Sequence, residues 1–121
     1  MYERKGKVIL HKGKWYGYIT FDEDMLNWMN VQTLDQLDNE AQKLKSLMED
    51  DVIITSVLLE KPLPVAYERM KRLKVLFKRN GEPKQLVIEG VKPTVDRNDV
   101  LGVLQSLFGG DVDIVSMVFK G

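Results

Sequence analysis

The chain has 121 residues, of which 44% are hydrophobic and 30% charged, and it contains no cysteine. This length and composition are typical of a globular protein, and we expect residues 1–121 to form a single domain. The lack of cysteine excludes disulfides, thiolate zinc sites, iron–sulfur clusters and cysteine nucleophiles.

The formal net charge is zero, but the charge is unevenly distributed. Residues 1–20 hold five basic and one acidic residue (+4), residues 21–51 nine acidic and two basic (−7), and residues 61–84 eight basic and two acidic (+6). A charged partner would therefore meet strongly charged blocks and not the average. No apolar run has the length of a membrane span or a secretory core, so we expect a cytoplasmic protein.

The N-terminal part of the chain predicts a β-hairpin followed by a helix. Residues 7–11 and 15–21 favour strands, and Gly13 suits the turn between them. Residues 25–30 are apolar but short, and fit a helical turn or a loop equally well. A first long helix is expected after Thr33, because Thr33 and Gln36 form a capping-box pattern. Its apolar stripe comprises Leu34, Leu37, Ala41, Leu44, Leu47 and Met48.

The middle of the chain predicts a strand and a second helix. Residues 52–59 form a nearly continuous β-branched run, which is typical of a strand buried on both faces. A second helix is expected over residues 65–79, ended by a left-handed stop at Asn80 and Gly81. Its apolar stripe would comprise Val65, Ala66, Met70, Leu73, Leu76 and Phe77, and its basic residues Arg69, Lys71, Arg72, Lys74, Lys78 and Arg79.

The C-terminal part predicts a strand over residues 85–91, a third helix ending at Gly109 and Gly110, and a strand over residues 112–119. The resulting order, ββαβαβαβ, indicates an α/β (or α+β) fold with crossover connections and an at least partly parallel sheet. The N-terminal hairpin would either add an antiparallel edge to that sheet or stand apart as a small lobe.

The sequence offers little for catalysis. His11 is its only histidine, and no nucleophile elbow, phosphate loop or dinucleotide fingerprint is present. Three consecutive acidic residues, Asp22 to Asp24, have no metal-binding spacing and fit a solvated turn. We therefore expect no enzyme activity, no cofactor and no metal.

Two short segments carry a resemblance to a known family. Residues 6–8 read G-K-V and residues 16–19 read Y-G-Y-I. This pattern resembles the first two strands of cold-shock domains, which bind single-stranded nucleic acid. The resemblance implies that aromatic residues stack on unpaired bases while lysines contact phosphates, with Trp15, Tyr16 and Tyr18 in the first role and Lys7, Lys12 and Lys14 in the second.

Two functions are therefore carried forward. In the first, a small non-catalytic nucleic-acid-binding or regulatory protein binds single-stranded DNA or RNA through the hairpin and through phosphate contacts from Arg69, Arg72 and Arg79. In the second, a protein-interaction module or homo-oligomer pairs the acidic face of the first helix with the basic face of the second. The apolar residues 25–29 would then form the contact. No membrane partner is expected.

Overall fold

The computed structural model describes residues 5–56, 68–69 and 71–120. Seven strands lie at β1 (Gly6–Lys12), β2 (Trp15–Phe21), β3 (Ile53–Ser56), β4 (Glu68–Arg69), β5 (Arg72–Arg79), β6 (Glu82–Glu89) and β7 (Val112–Lys120). The helices are α1 (Glu23–Trp28), α2 (Leu34–Ala41), a 3₁₀ helix (Gln42–Leu47) and α3 (Arg97–Phe108). None of the helices in this part of the chain is long and apolar enough to cross a membrane.

The strands form two sheets. The N-terminal sheet has the order β3-β1-β2-β4, and the C-terminal sheet has the order β6-β5-β7. Among the described residues, all pairings are antiparallel except the two-residue pairing of β2 with β4. The fold therefore mixes helices and strands as expected, but the predicted order ββαβαβαβ is wrong. In the part of the chain that the structure describes, the expected parallel pairing is limited to β2 and β4.

The N-terminal hairpin is confirmed, and it lies inside the N-terminal sheet. β1 pairs with β2 from Gly6↔Phe21 to Lys12↔Trp15, and Gly13 in the turn has a φ of 56°. β3 and β4 flank the hairpin. The hairpin is thus neither an added edge nor a separate lobe.

The helices that follow the hairpin begin where side chains cap them. Asp22 accepts a hydrogen bond from Met25 N at the start of α1, so the apolar segment after it is helical. The predicted capping box is confirmed, because Thr33 Oγ1 accepts from Gln36 N at 3.2 Å while Gln36 Oε1 accepts from Thr33 N at 3.1 Å. The helix is α-helical only to Ala41 and continues as the 3₁₀ helix.

The predicted second helix is wrong over residues 72–79, which form strand β5; residues 65–67 and 70 lie outside the described part. The cause is the turn at Asn80 and Gly81, whose φ angles are 50° and 84°. Two consecutive positive φ values are those of a tight β-hairpin turn, which joins β5 to β6. The apolar residues of β5 accordingly alternate, with Leu73, Val75 and Phe77 buried.

Of the strand predicted over residues 52–59, residues 53–56 form β3, and residues 57–59 lie outside the described part. The prediction of burial on both faces is wrong. Ile54 is buried, but Ile53 is 59% exposed and Thr55 is also exposed. The side chains of β3 alternate between the core and solvent, so only one of its faces is buried.

The C-terminal helix and strand are confirmed as α3 and β7. Asp96 caps α3, and Gly109 ends it with a φ of 66°. The inner faces of both sheets pack on the helices in one buried cluster, in which the rings of Phe77 and Phe108 stack at 5.5 Å. The opposite faces of the two sheets are called here their outer faces.

Candidate nucleic-acid interface

The outer face of the N-terminal sheet carries two of the three predicted stacking residues. Val8, Leu10 and Ile19 point into the core, so strand alternation places Tyr16 and Tyr18 on the other face. Both tyrosines are half-buried. Lys7 lies on the same face, and its Nζ is 5.5 Å from the centre of the Tyr18 ring. This face therefore combines aromatic surface with positive charge.

Trp15 and Lys12 lie on the opposite face of the hairpin. They pair with each other two positions beyond Leu10↔Gly17, and therefore share its inward side. Trp15 is 41% exposed, and Lys14 Nζ lies 5.8 Å from the centre of its ring. Lys12 is 3.4 Å from Glu49. The three aromatic residues of the predicted platform thus divide between two faces.

The outer face of the C-terminal sheet carries Arg72, Lys74 and Lys78, three of the eight basic residues in the block at residues 61–84. Because Leu73, Val75 and Phe77 point inward, the alternate residues of β5 point outward. The same face continues onto the two neighbouring strands according to the pairing register. We call it the basic face, and its residues include Arg72, Lys74, Leu76, Lys78, Val87, Val118 and Lys120.

A groove of about 290 Å³ joins the two outer faces. Its walls come from β2 on one side and from β5 and β6 on the other, namely Tyr18, Thr20, Arg72, Gln85, Val87 and Glu89. The groove therefore brings together Tyr18 and Arg72, which were singled out in separate parts of the sequence. It combines one aromatic ring, one guanidinium and polar side chains.

Glu89 fixes the geometry of this groove. Its side chain is 1% exposed, and its carboxylate accepts a hydrogen bond from Tyr18 N at 2.6 Å. Its Cβ lies only 2.6 Å from where a β-carbon on Gly17 would be, so the close approach of β6 to β2 requires glycine at position 17. In the pairing register Glu89 stands opposite Arg72, which places both charges in the groove.

The other two predicted phosphate-binding arginines are not in the groove. Arg79 points toward the helices, where its Nε donates to Phe108 O at 3.0 Å and to Gly109 O at 3.2 Å. Its guanidinium also lies 4.6 Å from the centre of the Trp28 ring. Arg79 therefore caps the C-terminus of α3. Arg69 is placed only through its backbone, which pairs with Tyr16.

Two residues of the acidic cluster after β2, Asp22 and Asp24, form salt bridges with a lysine. Lys84 Nζ lies 2.8 Å from Asp24 and 3.0 Å from Asp22. The hydrogen bond to Asp24 raises the pKa of Lys84 well above that of an ordinary lysine, against the opposing effect of partial burial, and Asp22 adds to the rise. Within residues 5–56, 68–69 and 71–120, no group of three or more metal-binding side chains is found.

The apolar segment at residues 25–29 does not form a contact surface. Met25, Leu26 and Met29 are at most 5% exposed, and Trp28 packs edge-on against Phe108 at 5.8 Å. The predicted interaction surface at this segment is wrong, because its side chains close the core. The basic helix that was to pair with the acidic one is likewise replaced by β5.

A second concavity, of about 250 Å³, lies at the Trp15 end of the hairpin. Its walls are Lys12, Trp15, Glu49, Lys71, Gly90, Val91, Pro93 and Phe119. It is mostly apolar and opens on the side of the hairpin opposite to Tyr16 and Tyr18. It is therefore separate from the groove.

Sequence reasoning missed the contributions of Gln85 and Val87 to the groove, and it placed Lys74 on a helix and not on a strand. A signal was available, because Asn80 and Gly81 between two alternating apolar runs are typical of a hairpin. With that hairpin assigned, alternation alone would have placed Lys74 and Val87 on one face. No family model, curated protein or solved structure matches the chain.

Proposed function

We propose that this chain is a non-catalytic binding protein for single-stranded nucleic acid, and that the strand crosses the groove between the two outer faces. The observation that carries the proposal is the shared lining of the groove by Tyr18 and Arg72. Proteins that bind single strands combine aromatic platforms with a positive groove along which the backbone runs. Both elements meet here on one surface.

The charge of the surface supports this proposal better than the net charge of the chain does. The basic face exposes Arg72 and Lys78, with Lys74 half-buried between them. Lys120 extends the face on β7, and Lys7 lies beside Tyr18 on the neighbouring sheet. Phosphates along this path would meet these cations, while the acidic residues on the same face, Glu89 and Asp113, stand opposite Arg72 and Lys78.

Tyr18 is the proposed stacking residue. Its ring lies on the face away from the core, and its backbone is held by the hydrogen bond to Glu89. Tyr16 lies two residues away on the same strand face and is the second candidate. Stacking on such rings accepts any base, so the proposed binding has little sequence preference.

The role of each remaining predicted residue follows from its position. Arg72 and Lys74 line or adjoin the groove and would contact phosphates, with Lys7 at its other side. Three predicted residues have no direct role in this proposal. Lys12 and Trp15 lie on the opposite face of the hairpin, and Lys14 lies in its turn. Arg79 has a structural role at the end of α3.

Fluorescence anisotropy of labelled single-stranded DNA and RNA tests the proposal. Contacts to three or four phosphates predict that log K falls with log salt with a slope of about −2 to −3 for single strands. Duplex DNA of the same length serves as a control, because it offers phosphates without exposed bases and should bind more weakly. An absence of binding at about 50 mM salt, where phosphate contacts are strongest, would refute the proposal.

A further inference from the structure

Strand β7 stands at the end of the order β6-β5-β7 and pairs, among the described residues, with β5 alone. It is nine residues long, and three of its large apolar side chains are about half exposed: Val115 at 53%, Val118 at 49% and Phe119 at 46%. A long edge strand of this kind is a template for pairing with another strand.

The direction of the backbone groups on β7 follows from one hydrogen bond. Asn80 N donates to Asp111 O at 2.8 Å, which directs the even-numbered residues of β5 toward β7. The residues of β7 opposite odd-numbered residues of β5 then direct their N–H and C=O groups outward. These residues are Val112, Ile114, Met117 and Phe119.

A β-bulge makes this edge self-complementary. The register shifts between Leu76 and Phe77, so Val115 is an extra residue in β7. If two copies of β7 run antiparallel with Met117 opposite Met117, Phe119 then faces Ile114 with Val115 bulged out. Every outward-directed group from Ile114 to Phe119 thereby gains a partner in the other copy.

The charges fit the same register. Asp113 and Lys120 lie one position beyond Ile114 and Phe119. In the dimer, Asp113 of each copy therefore faces Lys120 of the other copy, which gives two such pairs. Cross-strand pairs of opposite charge stabilise a sheet, whereas like charges destabilise it. Arg97 is the neighbouring cation, 4.0 Å from Asp113 and bonded to Ile114 O. Ile114 O can accept a second hydrogen bond, and the Arg97 side chain, which is 60% exposed, has to shift outward for the other copy to reach it.

We propose that the partner of this edge is a second copy of the chain, and that two copies form a six-stranded antiparallel sheet centred on Met117. A two-fold axis perpendicular to the sheet keeps both basic faces on the same side. This inference rests on β7 alone and holds whether or not the chain binds nucleic acid. It also differs from pairing through acidic and basic helices, because no helix takes part.

Sedimentation velocity over a wide range of protein concentration tests the inference. We expect a reversible monomer–dimer equilibrium in the wild type. Met117→Pro removes an N–H group that is directed away from β5, so the fold should persist while dimerisation weakens at least about tenfold. Met117→Leu keeps the N–H group and should dimerise like the wild type. A wild type that stays monomeric throughout, or a folded Met117→Pro variant that dimerises normally, would overturn the inference.

A charge exchange tests the register without relying on proline. Lys120→Asp should raise the dissociation constant roughly tenfold, since two attractive pairs become repulsive. The double variant Asp113→Lys with Lys120→Asp restores opposite charges between the copies and should dimerise more tightly than Lys120→Asp alone, although the new lysine faces Lys78 within its own chain. Equal weakening by the single and double variants would show that this register is wrong.

Discussion

The carboxylate of Glu89 on β6 accepts a hydrogen bond from the backbone N–H of Tyr18 on β2, at 2.6 Å. One buried side chain thus takes the place that a neighbouring strand would occupy, and it joins the two sheets. This contact sets the distance between the strands that line the groove. The geometry of the proposed binding surface therefore depends on residues that need not touch the ligand.

We expect Gly17→Ala to lower the free energy of unfolding by about 1–3 kcal/mol, because the new methyl group would overlap Glu89. Gly102→Ala on α3 is the matched control. Nothing lies within 4 Å of the added carbon there, and replacing a helical glycine should stabilise by about 0.5–1 kcal/mol. Urea unfolding of both variants measures the difference, and equal effects would contradict the proposed tight contact.

The Lys84 contacts predict a dependence of stability on alkaline pH. Lys84→Met should lower the free energy of unfolding by about 1 kcal/mol at neutral pH, since Asp22 and Asp24 lose their cation. The pKa of Lys84 is higher in the folded chain than in the unfolded chain, so the wild-type advantage is complete below the unfolded pKa of about 10.4. It should then shrink as pH rises above that value.

Urea unfolding at neutral pH and near pH 11 measures this change, with Lys45→Met as the control for loss of an exposed lysine. The stability difference between wild type and Lys84→Met should narrow at the higher pH. If the difference in unfolding free energy between the two proteins stayed constant or grew at the higher pH, the ion pairs of Lys84 would not be its cause.

We expect substitution of Arg72 to weaken nucleic-acid binding and substitution of Arg79 to lower stability. Arg72→Ala should reduce the magnitude of the slope of log K against log salt by about 0.7–1, because one phosphate contact is lost. Arg79→Ala should leave that slope unchanged. It should instead lower the free energy of unfolding by about 1–2 kcal/mol, since two carbonyl groups at the end of α3 lose their donor. Anisotropy and urea unfolding on both variants show whether the effects divide in this way.

The elements that could be predicted from the sequence are those with strong local signals. The hairpin has a glycine turn between two strand-like runs, and α2 has a capping box at Thr33 and Gln36. α3 and β7 are separated by two glycines with positive φ. In each case the residues near the boundary determine the local structure, without help from distant contacts.

The basic block could not be placed by apolar spacing alone. Leu73, Leu76 and Phe77 fit a helical stripe, while Leu73, Val75 and Phe77 fit a strand. The turn after the block decides between them, since Asn80 and Gly81 both adopt positive φ and return the chain as β6. Because that turn was interpreted as the end of a helix, the basic residues were predicted on a helix, whereas they lie on strand β5.

The candidate site depends on contacts that local patterns do not contain. Tyr18 and Arg72 are 54 positions apart in the chain, and only the approach of β6 to β2 brings them together. That approach requires a glycine at position 17, and the Glu89 side chain supplies the acceptor for the hydrogen bond from Tyr18 N. Likewise, the separation of Trp15 from the two tyrosines follows from the pairing register and not from the spacing of aromatic residues.

The most direct measurement compares single-strand binding by Tyr18→Ala, Tyr18→Phe and Trp15→Ala with that of the wild type, by fluorescence anisotropy. Loss of one stacking ring, worth about 1–3 kcal/mol, should weaken binding by Tyr18→Ala roughly fivefold to a hundredfold. Tyr18→Phe keeps the ring, and Trp15→Ala alters the opposite side of the hairpin, so both should bind like the wild type. Normal binding by Tyr18→Ala together with weak binding by Trp15→Ala would contradict the central claim that the groove at Tyr18 is the binding site.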